Sequence, residues 1–332
     1  MTEPILQVKD LKTYYYSQKT TVAAVDGVDF SLEKGSVLGI VGESGCGKST
    51  VARSLVGLLD HANSRTVAGS VIFDGRDVLQ MDKEELRQIR GKRISMIFQD
   101  PFVSLNPVYT IKDQIYEVLK VHENLPKAQA EERVLELLRL VGIPHPELRL
   151  NSYPYQLSGG MQQRVMIAIA LACQPEILLA DEPTTALDVT VQAQIMELIS
   201  QLKEEREMSI ILISHNMGII AEMCDQMLVM YGGVVVEEGS CKQIFAAPKH
   251  PYTIGLLGAI PSVAVDKEEL DSIPGIVPKL TPPVVGCRFA SRCAYATDRC
   301  RAEEPPIFPV EEGHGARCWL HERKEKEEGA DE

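Results

Sequence analysis

The stretch that decides the fold is Gly42-Glu43-Ser44-Gly45-Cys46-Gly47-Lys48-Ser49. It follows the apolar run Ser36–Val41, which predicts a buried strand, and it precedes an apolar helical segment from Val51 to Leu59. It fits the pattern G-x-x-x-x-G-K-[ST], in which glycines let consecutive backbone N–H groups converge on a phosphate and a helix N-terminus adds positive potential. A glycine-rich turn that binds nothing is the alternative, but the strand–loop–helix context favours a phosphate-binding loop, called the phosphate loop below.

Side chains of the phosphate loop are of the types that bind a nucleoside triphosphate together with Mg²⁺. Lys48 can reach the outer phosphates, and the Ser49 hydroxyl can ligate Mg²⁺. We therefore predict that this segment binds ATP, with Lys48 also acting in catalysis. The predicted contacts are Gly42, Ser44, Gly45, Cys46, Gly47, Lys48, Ser49 and Thr50.

Two adjacent carboxylates follow a second predicted strand, Ile177–Ala180. Asp181 can hold Mg²⁺, directly or through water, and Glu182 can orient and deprotonate the attacking water. An ordinary strand that ends in solvated acids is the alternative. The hydrolytic interpretation is favoured because the phosphate loop belongs to the same α/β domain.

A second anion site is predicted at Ser158-Gly159-Gly160, before a helix that runs to about Cys173. Ser158 can cap this helix, and the glycines leave its amides open to a γ-phosphate. A simple helix cap is the alternative.

The order of segments predicts an α/β layered domain followed by a small extension. Ser209–Ser214 is a third apolar strand, and residues from about 102 to 157 read as a helical insertion. Two early segments, Asp29–Glu33 and Ser70–Phe73, look like antiparallel strands, and Gln226–Tyr231 with Val234–Glu238 around Gly232-Gly233 predict a late hairpin. Prolines crowd after Ala247, so we place a domain boundary near residue 248 and predict a loop-rich extension over 248–332.

Charge and hydropathy restrict the partners of the 332-residue chain. It has 34 basic and 47 acidic residues, a net charge of −13, which disfavours nucleic acid as the main partner. No secretion signal opens the sequence, and the longest apolar run, Val165–Cys173, is too short to span a bilayer. If a membrane is involved, we expect another chain to cross it.

Further motifs resemble those of ABC-type ATPases over residues 5–240, in the family's order. Residues 157–164, LSGGMQQR, are similar to the family signature, and Gln99 resembles the Q-loop glutamine. Ala186-Leu187-Asp188 resembles the D-loop, and His215 resembles the switch histidine. The resemblance implies a P-loop NTPase fold with a mixed core sheet, an antiparallel β subdomain and a helical subdomain at about 102–165, with the ATPase domain covering 1–247.

The same resemblance implies a composite site in which two ATPase units sandwich two nucleotides, so that dimerisation depends on ATP. Ser158 and Gly160 would contact the ATP held by the partner's phosphate loop, and Asp188 would link the two sites. Among the remaining residues, His215 would contact the γ-phosphate, Gln99 would join Ser49 and Asp181 around Mg²⁺, and Tyr15, rather than Tyr14 or Tyr16, would stack on adenine.

Two segments resemble the oligopeptide/dipeptide importers within this family: residues 96–107, and His250-Pro251-Tyr252-Thr253 with the cysteine-bearing extension. The resemblance implies an ATPase subunit on the cytoplasmic face of the membrane. Its expected partners are two transmembrane permease subunits, a second ATPase subunit (homologous or identical) and, indirectly, an extracytoplasmic peptide-binding protein. Nickel importers share these features and stay an alternative.

Four cysteines of the extension, Cys287, Cys293, Cys300 and Cys318, have the spacing C-x₅-C-x₆-C-x₁₇-C. Four thiolates can hold Zn²⁺ or an iron–sulfur cluster, and the absent secretion signal disfavours disulfides. The importer resemblance favours a structural 4Fe–4S cluster, with zinc or plain thiols as alternatives.

Three functions other than transport are alternatives for a chain with these motifs. A nucleic-acid maintenance ATPase typically separates its phosphate loop from its carboxylates by a long coiled coil, and no sustained heptads lie between Lys48 and Asp181. A ribosome-binding ATPase with tandem cassettes would carry each motif twice. A non-catalytic binding module is disfavoured by intact Lys48, Asp181, Glu182 and His215.

Overall fold

A computed structural model of the chain describes residues 3–60, 62–184, 187–259, 273–278 and 280–322. The strands in these ranges are β1 (Leu6–Tyr16), β2 (Thr21–Leu32), β3 (Val37–Val41), β4 (Ser64–Phe73), β5 (Arg76–Asp77), β6 (Ile94–Ile97), β7 (Ile177–Asp181), β8 (Ser209–Ile213), β9 (Gln226–Tyr231), β10 (Val234–Ser240), β11 (Phe308–Glu311) and β12 (His314–Ala316).

The helices connect and cover these strands. In chain order they are α1 (Lys48–Leu55), α2 (Lys83–Ile89), α3 (Pro101–Ser104), α4 (Ile111–His122), α5 (Lys127–Leu140), α6 (Pro146–Arg149), α7 (Gly159–Leu171), α8 (Val189–Arg206), α9 (Met217–Met223), α10 (Cys241–Ala246), α11 (Pro251–Gly258) and α12 (Asp298–Ala302). Within the described ranges no helix is long and apolar enough to span a bilayer.

A mixed sheet forms the centre of the molecule, with strand order β11-β12-β10-β9-β3-β8-β7-β6. The neighbours from β9 to β6 are parallel. Strands β3, β7 and β8 are buried at every position, as expected for parallel strands covered on both faces. Because parallel strands end at the same edge, the segments that follow β3, β6, β7 and β8 converge there.

An antiparallel sheet of order β2-β1-β4-β5 covers one side of the central sheet through α1. One apolar cluster joins Leu11 of β1, Leu55 of α1 and Ile40 of β3. The predicted antiparallel segments are confirmed, but β1 lies between β2 and β4 and pairs with both. The two predicted segments therefore lie in the same antiparallel sheet, with β1 between them.

Helices α3 to α7 form the helical region, which packs against the other side of the central sheet. Ile115 of α4, Leu137 of α5 and Val165 of α7 share an apolar cluster with Leu178 of β7. Each of these side chains is essentially inaccessible to solvent. The helical insertion predicted over about 102–157 is confirmed.

Residues after β10 return to the central sheet instead of forming only loops. The hairpin β11–β12 pairs with β10, with Glu237 opposite Ala316 and Glu238 opposite Gly315. No periodic signal predicts this pairing, because β12 has only three residues and contains Gly315. The hairpin ties the C-terminal extension to the strand that leaves the ATPase core.

Candidate ATP site

The phosphate loop joins β3 to α1, and two of its glycines have no possible replacement. Gly42 has φ 148°, and a Cβ there would lie 2.2 Å from the Met230 carbonyl oxygen. Gly47 has φ 110°, and its Cβ would lie 2.1 Å from the Ala24 carbonyl oxygen. The loop is therefore wedged between the backbones of β9 and β2, and only glycine permits this approach.

Lys48 begins α1 and is buried at the mouth of the loop. Its Nζ donates to the carbonyl oxygens of Gly42 at 2.7 Å and Glu43 at 3.0 Å. These neutral acceptors hold the ammonium in place without neutralising it, so it stays available to a phosphate. Cys46 is buried beside it, and burial raises the pKa of this thiol.

Ser49 and Asp181 meet across the parallel strands. Ser49 Oγ donates to Asp181 Oδ1 at 2.9 Å, and Asp181 is almost fully buried at the end of β7. Burial raises the pKa of Asp181, and the hydrogen bond from Ser49 opposes that shift. A hydroxyl and a carboxylate oxygen are hard ligands that suit Mg²⁺.

No described group of three or more His, Cys, Asp or Glu side chains could hold a metal ion. Mg²⁺ commonly binds through one or two carboxylates together with substrate phosphates. Ser49 and Asp181 would therefore supply only part of the Mg²⁺ coordination, and the phosphates would supply further ligands.

Glu182 lies between Gln99 and His215. Gln99 Nε2 donates to Glu182 Oε2 at 2.9 Å, and His215 Nδ1 lies 3.4 Å from Glu182 Oε1. Glu182 has φ 48°, a left-handed conformation that is uncommon outside glycine and often marks functional sites. Gln99 contacts Glu182 here, and its place with Ser49 and Asp181 around Mg²⁺, which the family resemblance implies, stays a prediction.

Ser158 and Asp188 cap two adjacent helices. Ser158 accepts from the Met161 amide and caps α7, which confirms the predicted cap, and Asp188 accepts from the Val191 amide and caps α8. A Cβ on Gly160 would lie 3.1 Å from Val191 Cγ1, so the two helix starts are packed together. Ser158 is exposed and faces solvent. Ala186 of the resembling D-loop lies outside the described residues.

The three tyrosines of β1 have different surroundings. Tyr14 donates to Asp26 at 2.8 Å, and burial together with this bond raises its pKa to about 12. The Tyr15 hydroxyl lies 3.5 Å from Thr50 Oγ1 on α1, whereas Tyr16 is exposed. Tyr15 is thus the tyrosine whose hydroxyl lies next to a predicted ATP contact.

The four extension cysteines line one cavity of about 220 Å³. The Cys287 amide also donates to the Cys300 carbonyl oxygen at 2.7 Å, which joins the segment of Cys287 to α12. Burial raises the pKa of Cys287 to about 11, and the pKa values of Cys293 and Cys318 are raised for the same reason. The structure therefore brings the thiols around a common space, although not into a group that could hold a single metal ion.

Sequence reasoning missed the contacts between the extension and the phosphate loop. Arg288 donates to Asp26 of β2 and to the Gly232 carbonyl oxygen, and Arg292 donates to Glu43 of the phosphate loop. Phe289 packs against Tyr231 and Tyr252. Arg288 and Arg292 each adjoin a cysteine in the sequence, which could have singled them out as candidates. No local sequence pattern, however, identifies Glu43 as the partner of Arg292, because the two residues are 249 positions apart.

Comparison with known proteins agrees with this geometry. Residues 25–185 match the ABC transporter family model, and residues 236–300 match the oligopeptide/dipeptide transporter C-terminal region. The chain is 50% identical to the dipeptide transport ATP-binding protein DppD of Haemophilus influenzae over 92% of both chains. It is 45% identical to the oligopeptide transport ATP-binding protein AppD of Bacillus subtilis over 99% of both chains.

A solved structure shares the fold of the ATPase part. It is a dimeric ATP-binding cassette in a post-hydrolysis state with ADP and Pi, with a TM-score of 0.65 and 29% identity. The match covers 71% of this chain and 98% of that cassette. On these similarities, the chain belongs to the ATP-hydrolysing ABC transporter family, in the branch with the oligopeptide/dipeptide transporter C-terminal region.

Proposed function

We propose that this chain energises the import of di- and oligopeptides through a membrane ABC transporter, from the cytoplasmic face of the membrane. The observation that carries the proposal is the convergence of Lys48, Ser49–Asp181 and Gln99–Glu182–His215 at one edge of the sheet. Relatives named for dipeptide and oligopeptide transport cover almost the whole chain, including the extension.

In the proposed reaction the phosphate loop and Lys48 bind the β- and γ-phosphates of ATP. Ser49 and Asp181 would hold Mg²⁺, which supplies positive charge to the phosphate oxygens. Glu182 orients the attacking water and accepts its proton, and the short contacts to Gln99 and His215 fix the carboxylate. His215 is exposed in the single chain and would reach the γ-phosphate from the same edge.

Ser158 and Gly160 act on a second nucleotide in this proposal. Ser158 at the start of α7 is exposed, so this helix N-terminus is accessible to a nucleotide from outside the chain. A partner's ATP would complete the site, and Asp188 would connect it with the site of its own chain. The similarity to a dimeric cassette supports this arrangement.

The docking surface for the permease subunits is proposed to lie beside Gln99. Phe102, Val103 and Val108 follow Gln99 in the chain and are respectively 64%, 83% and 73% exposed. Adjacent exposed apolar side chains of this size mark protein interfaces. The expected assembly contains two permease subunits, a second ATPase subunit (homologous or identical) and, indirectly, an extracytoplasmic peptide-binding protein.

A 4Fe–4S cluster is proposed at Cys287, Cys293, Cys300 and Cys318, where it would hold the shape of the extension. The four thiols line one cavity, and four thiolates are the usual ligands of such a cluster, with Zn²⁺ as the alternative. Binding would displace the thiol protons that burial retains. Visible absorption and metal analysis of anaerobically purified protein test this, and colourless protein with bound zinc would contradict it.

The catalytic assignment is tested by Glu182→Gln. Loss of the proton acceptor should lower ATP turnover about 1,000-fold while MgATP still binds, so that a closed dimer accumulates. Phosphate release and light scattering measure the two effects, and exposed Glu204→Gln on α8 is the control. Unchanged turnover in Glu182→Gln would show that the proton acceptor is misassigned.

The transport assignment is tested by reconstitution with two peptide-permease subunits and an extracytoplasmic peptide-binding protein. We expect ATP turnover to rise when di- or tripeptides are added and to stay at its basal level with Glu182→Gln. Stimulation by nickel salts and not by peptides would replace the peptide assignment.

A further inference from the structure

Glu43 of the phosphate loop is held by the C-terminal extension. Arg292 Nη1 donates to Glu43 Oε2 at 2.8 Å, and Nη2 donates to Glu43 Oε1 at 3.1 Å. The Arg292 side chain is 6% exposed and that of Glu43 is 27% exposed. A bidentate, charge-assisted Arg–carboxylate pair that is mostly buried fixes the orientation of both side chains and is stronger than a hydrogen bond between neutral groups.

The extension also fixes the backbone of Glu43. The Glu43 amide donates to the Tyr252 hydroxyl at 2.8 Å, and Tyr252 is fully buried on α11. The Glu43 carbonyl oxygen accepts from Lys48 Nζ at 3.0 Å. One residue therefore contacts the extension through its side chain and amide, and the phosphate-binding lysine through its carbonyl.

Arg292 is itself held firmly enough to act as an anchor. Its Nε donates to the Pro274 carbonyl oxygen at 2.8 Å, and Nη2 donates to those of Ile273 at 3.1 Å and Gly275 at 3.3 Å. The hydrogen bond to Glu43 is the main cause of the raised pKa of Arg292. Nη1 also donates to the Tyr231 hydroxyl at 3.3 Å, so the donors are shared among five residues and the guanidinium is anchored independently of Glu43.

We propose that Arg292 is a positioning residue for the ATP site: through Glu43 it holds the phosphate loop and Lys48 in the binding geometry. The extension thereby sets the affinity for MgATP, and not the rate of hydrolysis. Glu182, Gln99 and His215 follow other strands, β7, β6 and β8, and are not among the contacts of Arg292 that the described residues show. This inference concerns ATP alone and does not depend on the transported substrate.

Arg292→Gln tests the proposal in the full-length protein. We expect the Kd and KM for MgATP to rise about tenfold, with kcat changed less than about twofold. Arg292→Lys keeps the positive charge but cannot donate two parallel hydrogen bonds to Glu43, so its affinity for MgATP should lie between those of Arg292→Gln and the unmodified chain. Arg301→Gln is the matched control, because Arg301 also adjoins a cysteine and pairs within the extension, with Asp298. Its Kd should equal that of the unmodified chain.

A double-mutant cycle with Glu43→Gln separates positioning from general loss of structure. Glu43→Gln alters the phosphate-loop side of the pair and should raise Kd to a similar extent, and Arg292→Gln should then add little. Unchanged Kd in Glu43→Gln, fully additive effects, or a fall in kcat without a change in Kd would each overturn the proposal. If Arg292→Gln does not fold, the Kd of Glu43→Gln decides alone.

Discussion

Gly47 is a residue at which backbone geometry leaves no alternative. Its positive φ and its approach to the Ala24 carbonyl oxygen exclude any Cβ. We expect Gly47→Ala to displace the loop, to cost about 3 kcal/mol in free energy of unfolding and to abolish MgATP binding. Calorimetry measures both quantities.

Gly35→Ala is the control for that substitution. Gly35 has φ 72°, but a Cβ there would meet nothing within 4 Å. It should therefore cost only about 1 kcal/mol and leave MgATP binding intact. Equal effects of the two substitutions would contradict the role given to close backbone approach at Gly47.

Single residues differ in how well the sequence reveals them. Lys48, Ser49 and Asp181 could be predicted because their types follow the ends of recognisable strands, and the structure brings Ser49 and Asp181 into contact. The contact between Gln99 and Glu182 could not be predicted from the sequence, because it depends on β6 and β7 being neighbours in the sheet. The pair of Arg292 with Glu43 joins distant parts of the chain, so no local pattern contains it.

At the start of α7, the contribution of Ser158 to stability can be measured separately from its proposed role in ATP-dependent dimerisation. Ser158→Ala removes a helix cap and should cost about 1 kcal/mol, as should Thr110→Ala, which removes the cap of α4 in the same helical region. Only Ser158→Ala should also weaken ATP-dependent dimerisation. Light scattering of both variants in the Glu182→Gln background measures this, and equal dimerisation would contradict the composite site.

Strands with a continuous apolar run were predicted, and those defined by their partners were not. β3, β7 and β8 are short apolar runs, and their observed bounds differ from the predicted ones by about one residue. β1 is long but irregular, with register shifts against both neighbours that break its alternation. β12 is a strand because it pairs with β10, and a segment of three residues is too short to predict this pairing from its own sequence.

At the scale of the whole molecule, Glu237 joins the ATPase core to the extension. It accepts from the amides of Lys249 and His250, and His314 Nε2 lies 2.8 Å from its Oε1, with both side chains fully buried. His314→Ala leaves part of a buried carboxylate without its partner and should lower the free energy of unfolding by about 3 kcal/mol. Urea denaturation measures the loss.

Lys249→Ala is the corresponding control at the surface. Lys249 pairs with Glu311 at 2.8 Å across the same junction, but both side chains are partly exposed. Its removal should cost less than about 1 kcal/mol. A similar loss in both variants would show that burial of the Glu237–His314 contact is not what stabilises the junction.

The central claim is that the phosphate loop binds MgATP through Lys48. Isothermal titration calorimetry on the unmodified chain, on Lys48→Ala and on exposed Lys34→Ala tests it most directly. The account predicts binding that Lys48→Ala weakens about 100-fold and Lys34→Ala leaves unchanged. Absence of binding to the unmodified chain, or equal affinity in Lys48→Ala, would contradict it.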